Sequence, residues 1–187
     1  MSLSAMFQER NNMSELPKTP LAIIIMGVSG SGKSSIGEGI AAKLGIHFIE
    51  GDALHPAANV EKMSKGIPLT DEDRWPWLER IGQQIAESLA KGEAIAVSCS
   101  ALKRIYRERL RAAAGGRLYF VYLDGSKELL TKRMGERKGH FMPASLLESQ
   151  LQTLEVPTGE PGVVTVGIDD TVDGIVEAAL KGLDAIR

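Results

Sequence analysis

The sequence predicts an α/β fold, a parallel sheet covered by helices on both faces, and three observations predict it. Short apolar runs alternate along the chain with longer amphipathic stretches. The first apolar run ends in a Gly/Ser-rich turn carrying Lys-Ser, and a helical pattern follows at once. The 187 residues, 43% hydrophobic and 25% charged, suffice for one domain with a buried core.

The elements follow in order. Leu21 to Met26 reads as a buried strand, and a helix runs from about Lys33 to Leu44. Ile46 to Glu50 is a second short strand, and Gly51 to Asp71 is polar and punctuated by Gly and Pro. Asp71, Glu72 and Asp73 suit the positive end of a long helix, about Asp71 to Lys91. Glu93 to Ser98 is a third strand, and Ala101 to Ala114 a helix stopped by Gly115 and Gly116. Leu118 to Leu123 is a fourth strand, Ser126 to Arg137 a helix, and Pro143 opens another with Ala144 to Leu154 as its body. Val163 to Gly167 is a fifth strand and Thr171 to Ile186 the last helix. Strands separated by helices mean βαβ units and a parallel sheet. Asp52 to Asp71 and Arg137 to Pro161 read as mobile insertions, the second a lid over about 137–161. Met1 to Thr19 is polar and reads as a disordered tail ahead of a single domain over 20–187.

Composition excludes several functions. A net charge of −2 gives no global field for nucleic acid or anionic membrane, so any attraction for phosphate is local. The longest apolar run, Leu21 to Val28, is too short to span a bilayer, and the first nineteen residues lack the apolar core of a secretory signal. Cys99 is the only cysteine, so no internal disulfide forms, and a reducing cytoplasm is the simplest home. It reads as a small buried apolar residue.

Gly27-Val28-Ser29-Gly30-Ser31-Gly32-Lys33-Ser34 is the strongest signal. It matches G-x-x-x-x-G-K-[ST] between a predicted strand and a predicted helix. Its glycines let several N–H groups converge on phosphate oxygens, and the helix dipole adds to them. Lys33 is expected on the β- and γ-phosphates of ATP and Ser34 on Mg²⁺, with Gly27, Ser29, Gly30, Ser31, Gly32 and Ser35 completing the nucleotide contacts.

The motif alone does not distinguish a switch, a motor and a kinase. The N-K-x-D and D-x-x-G strings of guanine-nucleotide switches do not occur. Ile95-Ala96-Val97 runs into Ser98-Cys99-Ser100 rather than a motor's aspartate, although Leu118 to Leu123 does end in Asp124. The short chain leaves little room for a partner-coupling domain. A small-molecule kinase fits best.

On the acceptor side, Asp52 follows the second strand, at the edge of the sheet where ligands bind. A carboxylate there can orient or deprotonate an attacking hydroxyl; the competing role is a turn or helix-capping Asp. Leu54 to Leu78 gathers His55, Asn59, Lys62 and Arg74, all able to hydrogen-bond hydroxyls or a carboxylate, and Arg74 can grip a carboxylate through two parallel bonds. Against that, His55 can structure the loop, and Trp75 and Trp77 can pack the start of the long helix. Ser98, Ser100, Lys103 and Arg104 follow the third strand and face the same crevice. Lys103 or Arg104 can take the acceptor carboxylate or a phosphate, or stand as exposed cations at a helix start. Arg133, Arg137, Lys138 and His140 form a basic stretch, either a lid whose arginine balances charge on the transferring phosphoryl group or a solvated helix end.

Gly51-Asp52-x-Leu54-His55-Pro56-x-x-Asn59-x-x-Lys62-Met63-x-x-Gly66-x-Pro68-Leu69-x-Asp71-x-Asp73-Arg74-x-Pro76-Trp77-Leu78 resembles the signature of the gluconate kinase (gluconokinase) family. Ser98 to Arg107 and His140 to Gln150 agree with it, so the resemblance covers roughly Ile23 to Glu155. It implies a fold related to shikimate kinase and the nucleoside monophosphate kinases, a three-layer sandwich whose five-stranded sheet has the order 2-3-1-4-5, with a mobile lid. It also implies ATP, Mg²⁺, D-gluconate as acceptor, 6-phosphogluconate as product, and often a homodimer. On this reading Lys33, Asp52 and Arg137 are catalytic, Arg133 and Arg137 join the nucleotide contacts, and His140 joins the substrate contacts. A kinase of another small acid or alcohol and an ATP-dependent switch remain as rivals.

Overall fold

The computed structural model describes residues 20–136, 143 and 145–187. The expectations for the tail, Arg137, Lys138 and His140 lie outside these residues.

Five strands form one parallel sheet in the order β2-β3-β1-β4-β5. They are β1 (Ala22–Met26), β2 (His47–Glu50), β3 (Ile95–Ser98), β4 (Leu118–Asp124) and β5 (Val163–Gly167). Seven α-helices are described: α1 (Lys33–Leu44), α2 (Ala57–Ser64), α3 (Asp71–Ala90), α4 (Arg104–Ala113), α5 (Lys127–Glu136), α6 (Leu146–Thr153) and α7 (Val172–Ile186). Central β1, Ala-Ile-Ile-Ile-Met, is buried throughout, as a parallel strand covered on both faces must be.

Right-handed crossovers fix the layers. The chain moves one way along the sheet from β1 to β2 and the other way from β2 to β3 and from β3 to β4. So α1 lies on one face with α7, and α3 and α4 pack together on the other. The connections after β1 and after β3 leave in opposite directions, and a crevice opens between their carboxyl ends. Glu50, Ser98 and Ile25 sit level in register along that edge.

Local chemistry sets the helix starts. Thr70 caps α3: its Oγ1 accepts from the Asp73 N–H, while the Asp73 carboxylate accepts from the Thr70 N–H at 2.9 Å. Thr171 caps α7 by accepting from the Gly174 N–H. The polar stretch after β2 is more ordered than a loop reading allows: Gly51–Leu54 is a 3₁₀ turn and α2 follows. Gly51 is needed there, because a Cβ would stand 1.9 Å from the Ser98 carbonyl oxygen.

The expected helix from Ala101 starts instead at Arg104. Ala101 has φ +46 and Lys103 is extended. Arg107 causes this. Its side chain is fully buried, and all five N–H donors are used: on the carbonyls of Ala101, Leu102 and Glu155, and twice on the Glu160 carboxylate. The turn after β3 is thus tied to the segment after α6. The guanidinium bonds from Arg107 and then Arg111 hold the Glu160 carboxyl below its usual range.

Candidate active site

Three recesses line the crevice, and neighbouring ones share lining residues. The first, about 510 Å³ including its open mouth, is bounded by Asp52, His55, Arg74, Ser100, Ser29 and Lys33. A small middle pocket is bounded by Gly30, Gly32, Lys33, Ser34, Glu50 and Asp52. The third lies between the loop after β1, Arg133, and the Asp170–Ile175 segment. Asp52 and Lys33 border both the first and the middle recess.

The loop between β1 and α1 forms the cradle. Gly30 has φ +83, and a Cβ there would meet the Leu130 carbonyl oxygen at 3.2 Å. Gly27, at the end of β1, lies so near Ser31 that a Cβ would stand 2.7 Å from the Ser31 Oγ. That hydroxyl is buried and has no protein partner among the described residues. Lys33 Nζ donates to the Val28 carbonyl at 3.1 Å, and the Ser29 N–H donates to Gln150 Oε1 at 2.7 Å. Ser34 Oγ donates to one oxygen of Glu50, and Ser98 Oγ donates to the other. Ser34, Ser35 and Arg133 line the third recess, where Arg133 donates to the Ile168 carbonyl.

Side chains from separate elements form the acceptor wall. Arg74 of α3 donates to the Tyr106 hydroxyl at 3.0 Å, and Tyr106 donates in turn to the Asp71 carboxylate. Lys103 Nζ also donates to Asp71, at 3.0 Å. The Tyr106 bond, and next the Lys103 bond, hold the Asp71 carboxyl low. Burial, and next Asp71, push the Tyr106 phenol up to about 12. Tyr106 therefore stays protonated and passes the bracing from Asp71 to Arg74.

His55 stacks on Trp77, with centroids 4.1 Å apart. Trp77 in turn donates to the Gly51 carbonyl at 2.8 Å. Burial lowers the imidazole pKa to about 4, outweighing the raising effect of Asp52, whose carboxylate lies 3.8 Å from Nε2.

The expected substrate contacts separate into two groups. Asp52, His55, Arg74 and Ser100 converge on the first recess. Asn59, Lys62, Lys103 and Arg104 do not border it. Asn59 is buried, and its amide donates to the Asp73 carbonyl at 2.8 Å. Lys62 pairs with the Asp73 carboxylate at 2.8 Å. Lys103 pairs with Asp71, and Arg104 extends from the exposed side of α4 toward Glu108. Asn59 and Lys62 thus bind α2 to the first turn of α3.

Sequence reasoning missed Glu50, Tyr106, Gln150 and Asp170 as site residues. Glu50 and Asp170 lie at or just beyond the carboxyl ends of β2 and β5, where the open-sheet rule directs attention. Tyr106 and Gln150 stand within the family-like pattern, but the pattern does not give their roles, which depend on partners 32 and 121 residues away.

A family model described as an AAA domain matches residues 23–157. The chain is 48% identical over 166 residues to a gluconokinase of Gluconobacter oxydans (strain 621H), covering 89% of this chain and 93% of that protein. It is 46% identical over 167 residues to the thermosensitive gluconokinase of Escherichia coli (strain K12), covering 89% of each. Among solved structures, a gluconokinase from Sinorhizobium meliloti 1021 superposes with TM-score 0.81 at 56% identity, covering 90% of this chain and 94% of that one.

Proposed function

The chain belongs to the gluconokinase family, and we propose that its crevice carries out the family reaction with Asp52 at the centre. The protein phosphorylates D-gluconate at its 6-hydroxyl with ATP, giving 6-phosphogluconate and ADP. The observation that carries the site assignment is the position of Asp52, which borders the acceptor recess and the middle pocket at once.

The cradle suits the phosphates. A Gly-rich backbone before a helix N-terminus presents N–H groups, and the buried Ser31 hydroxyl has room in its hydrogen bonding for an oxygen ligand. Gly27, Ser29, Gly30, Gly32, Ser34, Ser35 and Arg133 complete the nucleotide contacts. Ser34 and Glu50 offer hard oxygen donors, and no group of three metal-binding side chains stands among the described residues. That set fits Mg²⁺, which takes most of its ligands from phosphates and water. Bound Mg²⁺ neutralises charge on the β- and γ-phosphates.

On the acceptor side Arg74, fixed by Tyr106, grips the gluconate carboxylate. Asp52 then orients or deprotonates the 6-hydroxyl for in-line attack, and Lys33 balances the charge that develops. Ser100 offers a hydroxyl to the sugar chain. Lys103 acts through Asp71 rather than on the acceptor, and Asn59 and Lys62 hold α2 in place. The lid read over 137–161 excludes water through its leading part, with Arg137 on the transferring group and His140 near the acceptor, while Arg107 keeps Glu155 and Glu160 at its far end anchored.

A homodimer of single-domain protomers completes the reading. The lone buried cysteine suits a reducing cytoplasm.

The test is ADP release from purified protein with ATP and Mg²⁺, in parallel with gluconate, shikimate, nucleoside monophosphates and no acceptor. Release that depends on gluconate, with 6-phosphogluconate recovered, is expected. Release stimulated only by another acceptor, or by none, overturns the assignment.

A further inference from the structure

The wall of the acceptor recess contains a histidine whose protonation is set by its neighbours. Asn59 Nδ2 lies 2.8 Å from the Asp73 carbonyl oxygen and 3.2 Å from His55 Nδ1. A carbonyl oxygen only accepts, so the nitrogen end of the Asn59 amide must face both groups. An amide nitrogen only donates, so His55 Nδ1 must be the acceptor. The imidazole is then neutral, with its proton on Nε2. Nε2 lies on the side of Asp52, 3.8 Å from the carboxylate. The ring is held flat against Trp77, 16° from parallel, and Trp77 is itself anchored to the Gly51 carbonyl.

We propose that His55 is a positioning residue for phosphoryl transfer: Asn59 fixes its neutral tautomer, and the resulting Nε2–H holds the Asp52 carboxylate in the orientation that the acceptor hydroxyl requires. This rests on the gluconokinase reading and deepens it by assigning a role within the same site. Nε2–H supplies a donor that Asp52 can use without losing its charge. At 3.8 Å the pair is longer than a hydrogen bond, and such contacts tighten once substrate fills a site. His55 does not act as the proton acceptor here, because its other nitrogen is already committed to Asn59. The charged groups beside it act in opposite senses: the Asp52 carboxylate of the 3₁₀ turn favours the charged ring, Arg74 of α3 opposes it, and burial outweighs Asp52. Burial keeps the ring neutral down to about pH 4.

The test combines two variants with one spectroscopic measurement. His55→Phe keeps a ring on Trp77 and removes both nitrogens. Its kcat with gluconate is expected to fall about 10²-fold, the scale of a misplaced reacting group, with KM for ATP unchanged. His55→Gln restores an N–H near the Nε2 position and is expected to recover most of that loss. A purely structural role would leave both variants equally impaired, or move both KM values together. In the parent enzyme, ¹⁵N NMR of His55 at neutral pH is expected to show the proton on Nε2. Parental kcat in the Phe variant, no recovery in the Gln variant, or a proton on Nδ1 would each overturn the proposal. The NMR result stands even where a variant fails to fold. If the parent enzyme fails to turn over gluconate at all, the functional reading falls, while the tautomer is still decided by the spectrum.

Discussion

The phosphate cradle and the acceptor wall meet at Asp52, but they are made of different parts. The cradle is mostly main chain, one contiguous loop from Gly27 to Ser34 whose shape depends on what its residues lack. The wall consists of side chains from the 3₁₀ turn, α3 and the turn after β3, braced by bonds that run between elements. A cradle of this type is sensitive to bulk added at its glycines. A wall of this type loses function when any one brace is removed, because the remaining partner is left buried and unpaired.

Five measurements can sharpen or break that contrast. Asp52→Asn acts where the regions join and is expected to lower kcat by about 10²–10⁴-fold, read in steady-state gluconate turnover. A near-parental kcat would mean that positioning alone suffices. Arg107→Ala leaves Glu160 buried without its main partner, and is expected to cost about 3–5 kcal/mol in denaturant unfolding. The third measurement is pH. His55 stays neutral in the fold down to about pH 4, while the unfolded chain takes up a proton near 6.5. The unfolded state therefore binds more protons in that window, and stability falls as pH drops through it, by up to about 3 kcal/mol. Unfolding curves of the parent and His55→Phe isolate this contribution, which the variant should lack. Arg74→Ala is expected to raise KM for gluconate by about 2 kcal/mol and to leave KM for ATP alone. Gly30→Ala is the mirror case, expected to weaken ATP by about 1–2 kcal/mol, the cost of a side chain at positive φ, with gluconate untouched.

The same contrast governs how much the sequence disclosed. The helix Lys33–Leu44 and the strand Val163–Gly167 have the boundaries that their patterns predict, because local signals set them. The cradle was legible from eight consecutive residues. The wall was legible only through a long spaced pattern, which does not show how its side chains pair. Asn59 and Lys62 have the chemistry of substrate contacts, yet both are occupied by Asp73, which only tertiary packing brings near. Ala101-Leu102-Lys103 favours helix on its own. Arg107 overrides that preference by claiming the carbonyls of Ala101 and Leu102.

The five-point bonding of Arg107 limits how the protein can change. A lysine offers three donors where five acceptors wait, and an apolar residue strands the Glu160 carboxylate in the interior. No single exchange at either position keeps all five bonds, and replacing both would still leave the carbonyls of Ala101, Leu102 and Glu155 without this donor. Redesign of the acceptor recess for other sugar acids should therefore leave that pair intact and vary the residues that border the recess.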